Sequence, residues 1–265
     1  DDHPNNFLAS ELYPIPNCAY WYCAAGSGSP SVNLVAKSKF VTLLLRRSLI
    51  LEAFLKSEGA FDYPFTLLKT IAVLNSEDEL VRIINWNIEY TDFSYSYGGF
   101  ILKKEEGKEK VTVTELIDKL DPYAPKPEGI IDAKNWYGAL YYKIIPFGHH
   151  GKTEYLLIGW DGGTTGSNFK LMDVLTFSGN TPKFGSPVFK ANRTTLKRVV
   201  YEYSNLSNMS MRFDPKNGRI VFDHLSPESP ALEGVYSYYI PDMSYDAYRY
   251  DFDAEIWVLQ EDVIM

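Results

Sequence analysis

The sequence predicts a mainly β protein with an N-terminal helical part, an α+β chain organised as an antiparallel meander, sandwich or barrel-like fold. Three observations carry this prediction. Beyond residue 126, short apolar runs recur at about 8–12-residue spacing with turn residues between them. Aromatic content is high, with 20 Tyr, 15 Phe and 5 Trp in 265 residues, as suits half-buried strands where a ring packs and a hydroxyl stays wet. The only long run with a thick helical apolar face, "FVTLLLRRSLILEAFL", lies early, at residues 40–55.

Taken in order, residues 1–34 form a Pro/Gly/Ser-rich lead-in with little regular structure expected. A helix is predicted over 35–57, closed by Gly59. The run "YPFTLLKTIAVL" reads as a shorter helix beginning near Pro64, since proline is tolerated in a first turn. From residue 80 the period becomes two. "LVRIINWNIEY" and "FSYSYGGFILKK" should pair as neighbours, and "VTVTELIDKL" reads as a strand running into a helix capped by Thr112 or Thr114. The Pro-rich "DPYAPKPEG" is the best internal boundary. It divides residues 35–125, a helical segment plus first strands, from 126–265, a β-rich region continuous with 80–125. Nine strand-like runs follow, from "WYGALYYKII" through "YSYYI" and "DAYRYDF" to "IWVLQ". "PKNGR" is the clearest hairpin, with Asn217-Gly218 at the centre of a tight turn.

Net charge is −8, and residues 221–265 hold one basic group, Arg249, against ten acidic ones, so the rest of the chain sums to about +1. That acidic C-terminal segment disfavours nucleic acid, whose phosphates need Lys and Arg, and leaves room for a basic partner. No run of about 20 apolar residues exists, so no transmembrane helix is expected. Cys18 and Cys23 admit two readings, buried thiols or a local disulfide. No second Cys or His pair completes a zinc site. The start at "DDHPNN", without Met, is expected of a processed or trimmed product.

Several residues invite a functional reading. In "PFGHHGKTEYLLIGWDGGTTG", His149 and His150 sit between strand-like runs and glycines. They read as exposed turn residues rather than metal ligands, because adjacent residues seldom aim at one ion. Trp160 and Asp161 precede two glycines, where Asp161 can take up backbone N–H groups in an Asx turn. A calcium loop with Thr164, Ser167 and Asn168 lacks the required alternation. Asp223 and His224 are adjacent and would face opposite sides of a strand, so a triad needs a distant carboxylate and a serine. If residues 246–253 are a strand, Tyr248, Tyr250 and Phe252 share one face, and Arg249, Asp251 and Asp253 the other. The rings should then be buried and the charges exposed, though a ring platform for a sugar or peptide is the functional version. No P-loop, dinucleotide fingerprint, zincin helix or nucleophile elbow is present, and no cofactor or metal is expected. Asn192, Asn205 and Asn208 head N-x-S/T triplets, which matter only in a glycosylating pathway.

The ordered series "WYGALYYKIIP", "EYLLIGWDG", "KLMDVLTF", "FGSPVFK", "MSMRFDP", "IVFDHLSP" and "YYIPDMSYDAY" resembles a family of uncharacterised proteins from Bacteroidota, over roughly residues 64–265. The resemblance implies an exported protein in the periplasm, at the outer membrane or outside the cell, and it brings no catalytic residues with it. The function expected is non-catalytic binding of a partner protein or glycan in the envelope. The alternatives are a carboxylate-dependent hydrolase acting on a glycan and a structural subunit of an envelope complex.

Overall fold

The computed structural model describes residues 49–108, 110–119, 125–163 and 166–264. The lead-in, both cysteines and the first part of the predicted 35–57 helix lie outside the described residues. Residues 49–55 are α-helical, and the rest is mainly β, in three sheets with no closed barrel.

The first sheet is a four-stranded meander of β1 (Ala72–Asn75), β2 (Val81–Glu89), β3 (Tyr95–Lys104) and β4 (Val111–Ile117). Strict alternation along β2 and β3 explains its two faces. Ile84, Phe100 and Leu102 face Leu51 and Leu55 of the helix. Val81, Ile83, Tyr97 and Ile101 face the second sheet.

The middle sheet comprises β5 (Ile131–Asp132), β6 (Leu140–His149), β7 (Lys152–Asp161), β8 (Ser167–Ser178) and β9 (Thr181–Phe184), with β12 (Val199–Ser204) added to β8. Its far face meets the third sheet, made of β10 (Phe189–Ala191), β11 (Thr194–Leu196), β13 (Met211–Asp214), β14 (Arg219–Pro227), β15 (Tyr239–Asp251) and β16 (Ile256–Gln260). Pairing is antiparallel except for β10 beside β16. Leu157, Leu171 and Leu175 therefore point to the first sheet, while Leu156, Ile158, Met172 and Val174 point to the third. A sheet covered on both faces needs apolar side chains at consecutive positions, as in "YLLIGW". Each such fully buried Leu or Ile stabilises the fold by roughly 1.5–3 kcal/mol.

The expected pairing of β2 with β3 is present along nine residues of β2. Three local expectations are corrected. Residues 64–74 form turns and then β1 rather than a helix. Phe65 has φ +48, outside the helical region. The Arg82 guanidinium takes the carbonyls of Phe61 and Tyr63, pinning the chain just before it. "VTVTELI" stays strand to Ile117, because β3 pairs along it and Asp118 then accepts the Tyr97 N–H at 3.0 Å. "YSY" at 236–238 is a 3₁₀ turn, and β15 begins only at Tyr239.

The loop between β13 and β14 also differs from a two-residue turn. Asp214 pairs with Arg219, and the Asn217 N–H donates to Asp214 O at 3.3 Å. Pro215 and Lys216 therefore hold the central positions, with Asp leading and Pro second as a type I turn favours. Gly218 follows at φ +59 and returns the chain to β14. Gly218→Val should cost about 1 kcal/mol or more in chemical denaturation, since a β-branched residue resists that angle.

One ion pair lies inside the stack. Asp173 of β8 meets Arg198 at 2.8 Å, with side chains 0% and 1% exposed. Arg198→Met should destabilise the protein by about 3–5 kcal/mol, because it leaves a buried carboxylate without its cation. Asp173→Leu combined with Arg198→Met should recover much of that loss, a comparison that urea titration of the three proteins can make.

Candidate functional site

The structure distributes the sequence-predicted residues over three places. The first is the "GWDGG" turn at the end of β7. Asp161 is 5% exposed. Its Oδ1 accepts the Gly163 N–H at 2.9 Å and the Tyr97 hydroxyl at 3.1 Å, and its Oδ2 meets Lys126 Nζ at 2.6 Å. The Asx-turn geometry is thus present. The glycines answer a steric demand, because a Cβ on Gly162 would lie 2.3 Å from the Tyr95 ring. At Gly163, which has φ +56, one would lie 2.4 Å from Ser167 O. Trp160 is half-buried and edge-on to Tyr95, with ring centroids 5.3 Å apart. Ser167 donates to Glu202 at 2.7 Å, and Thr164 lies outside the described residues. Burial and the proximity of Asp161 raise the Tyr97 hydroxyl far above its ordinary pKa, so it stays a neutral donor. Asp161, Tyr97 and Gly163 together close the turn against the first sheet.

The second place is the tip of the β6–β7 hairpin. His150 at φ +51 and Gly151 at φ +71 occupy the two central turn positions. His150 is exposed as expected, but His149 is only 7% exposed, which corrects its reading as a surface residue. The reason is a contact that the linear sequence hides. His149 Nδ1 lies 3.1 Å from Glu154 Oε1 across the hairpin, and the backbone N–H of His150 donates to Glu255 at 2.5 Å. The Tyr250 hydroxyl donates to Gly148 O. The β15–β16 turn is thereby fastened to this tip. Asp251 accepts the N–H groups of Asp253 and Ala254 at 3.0 Å, ending β15 there. Phe252 leaves the strand and is 82% exposed, against the expectation that it is buried with Tyr248 and Tyr250. Tyr248 is 1% exposed in the core, Tyr250 is half-buried, and Arg249, Asp251 and Asp253 are exposed. A shared ring platform at 248–252 therefore does not form.

The third place is a bulge where β14 meets β15. Pairing runs from Asp223 with Tyr245 to Leu225 with Pro241, leaving His224 opposite an irregular stretch that contains Met243 at φ +74. Asp223 accepts the Ser210 N–H at 2.7 Å. His224 Nδ1 lies 2.8 Å from Asp246 Oδ2, so the distant carboxylate comes from the neighbouring strand. The nearby hydroxyls of Ser226 and Ser244 donate to Asp242 at 2.6 and 2.7 Å. They do not line up behind the imidazole as a nucleophile would. Those two hydroxyl bonds hold the Asp242 carboxyl down at about 2.

No group of three or more His, Cys, Asp or Glu among the described residues is placed to hold a metal ion. Among those residues, no helix is long and apolar enough to cross a membrane. Comparison of the chain with protein-family models, curated proteins and solved structures returns no match.

The hydrogen bond to Asp246 chiefly raises the His224 pKa, helped by the Asp246, Asp242 and Asp262 charges against a smaller burial effect. A histidine raised on folding contributes stability that is full below the unfolded value near 6.5 and is lost as pH rises through the folded value. With the His224 side chain 42% exposed, that contribution should stay below about 1 kcal/mol. An NMR titration should find its imidazole titrating above 6.5, and Asp246→Asn should bring the midpoint down. An unchanged midpoint would contradict the pairing.

Proposed function

We propose that this chain is a non-catalytic binding protein of the cell envelope or extracellular space, whose acidic C-terminal segment, residues 221–265, docks a partner protein through a cationic surface. The observation that carries this reading is the concentration of ten carboxylates against one Arg249 in residues 221–265. Strand alternation and the β15–β16 turn leave Asp251 and Asp253 exposed. A charged face of this kind speeds encounter with an oppositely charged surface and rejects acidic ligands such as nucleic acid. The envelope location rests on the Bacteroidota resemblance. The hydroxyls beside His224 are turned to Asp242, which counts against a serine–histidine hydrolase at that place.

Capture from native envelope on the immobilised chain provides the partner, and its association rate is the measurement. That rate should fall as salt rises from about 0.05 to 0.5 M, where screening shortens to a few Å. Asp251→Asn with Asp253→Asn should reproduce part of the fall at low salt. The melting temperature should hold, since an asparagine oxygen can still accept the N–H groups of Asp253 and Ala254. An association rate indifferent to both salt and substitution would overturn the reading.

A further inference from the structure

Residues 224–245 contain no buried residue, yet they are fully organised. They comprise the outer ends of β14 and β15 and two 3₁₀ turns, Pro230–Leu232 and Tyr236–Tyr238. Short hydrogen-bonded closures hold the arm together. Glu228 N–H donates to Tyr238 O at 3.1 Å, Gly234 N–H to the Tyr239 hydroxyl at 3.0 Å, and Val235 N–H to Leu232 O at 3.0 Å. Pro227, Pro230 and Pro241 restrict the unfolded chain further, so little order remains to be gained on contact. The second turn rests beside β12. There Tyr236 and Tyr238 remain 57% and 47% exposed, Val235 44% and Met243 92%. An ordered arm that keeps tyrosines and a methionine in water has the composition of an interface, where rigid two-torsion aromatics supply contact area at low entropic cost.

The charge of the arm selects the partner. Between Arg219 and Arg249 the chain has no Lys or Arg, while Glu228, Glu233 and Asp242 are exposed on the arm itself. Among the described residues, no hydrogen bond or ion pair engages the Glu228 and Glu233 carboxylates. Arginine is the one side chain that uses both features. Its planar guanidinium stacks on aromatic faces and offers paired N–H donors to carboxylates, whereas lysine brings a strongly hydrated point charge. A neutral glycan could use the rings and donate hydroxyls to the carboxylates, but it brings no positive charge to offset theirs.

We infer that the β14–β15 arm is a docking surface for an arginine-bearing segment of a protein partner, held between the Tyr236 and Tyr238 rings and the Glu228, Glu233 and Asp242 carboxylates. This rests on the acidic-segment reading above and names the place and the chemistry of the contact.

The test uses the full chain with deca-arginine, deca-lysine and cellohexaose as probes, followed by calorimetry at about 0.05 M salt. Deca-arginine should bind more tightly than deca-lysine. Tyr236→Ala with Tyr238→Ala should weaken the arginine peptide about tenfold and the lysine peptide much less. Both rings are exposed, so the melting temperature should hold. Should that variant unfold, Glu228→Gln with Glu233→Gln keeps the rings and should also weaken deca-arginine about tenfold. Equal binding of the two peptides, untouched by either variant, overturns the arm and leaves charge-only docking elsewhere on the sheet. Cellohexaose binding that is lost with the tyrosines, without peptide binding, overturns it in favour of a glycan. Absence of arginine-peptide binding overturns the arm alone, because the acidic C-terminal segment is judged by the salt dependence of its own partner at Asp251 and Asp253.

Discussion

The stack depends on a middle sheet that meets other sheets on both faces, so each polar group it carries must be answered from within. Asp173 shows where this constraint bites. It stands between Leu171 and Leu175 on the face toward β1–β4, fully buried, and desolvation pushes its carboxyl pKa up against the pull of Arg198. Arg198 also donates to Pro127 O at 2.5 Å, tying the segment after residue 125 to β8 and the start of β12. On the same face, Asn85 exchanges two hydrogen bonds with the Tyr141 backbone, at 2.8 and 3.3 Å, where β6 shifts register against β7. Asp161 gathers Tyr97, Lys126 and Gly163 there as well. The opposite face is almost wholly hydrocarbon and aromatic. A one-residue slip of β8 would turn Asp173 into that apolar interface, so the polar set also specifies register.

Much of this fold can be read in the residues themselves, because alternation is a local signal. The β2–β3 pair, the His150-Gly151 turn and the Asx turn at Asp161 all follow from patterns within about ten residues. The errors arise where a distant partner overrides a local preference. "TLLKTIAVL" has helical composition, but Arg82 fixes the carbonyls before it and β2 pairs with its end. "VTVTELI" offers a threonine cap, but β3 supplies a whole row of backbone partners. Asn217-Gly218 looked like a complete turn, yet Pro215 had already taken its second position.

The candidate sites were less legible than the strands for a physical reason. His224 and Asp246 are 22 positions apart and meet through the pairing of β14 with β15, whereas His150 and Glu255 are 105 apart and meet because the third sheet packs on the middle one. The adjacency of Asp223 with His224, and of His149 with His150, drew notice but was not the pairing that forms. The β14–β15 arm is hidden in the sequence because "YSYYI" reads as one more strand-like run. The signal present was the spacing of Pro227, Pro230 and Pro241 around tyrosines with no alternating aliphatic partners.

A dense set of carboxylates would repel itself if all stood free, and within residues 221–265 two groups stand apart. Asp223, Asp242, Asp246 and Asp251 each accept a backbone N–H, from Ser210, Ser244, Asp262 and Asp253 respectively, so they shape the bulge and the turns. Replacing any of them by a residue without an acceptor oxygen changes structure as well as charge. Glu228, Glu233 and Asp253 are exposed, and no hydrogen bond or ion pair of the described residues uses their carboxylates. Their charge contributes nothing to the local geometry and carries only the repulsive cost. Carboxylates left unengaged beside exposed tyrosines fit the proposed interface, since a cationic partner would meet acceptors that no ion pair among the described residues already occupies.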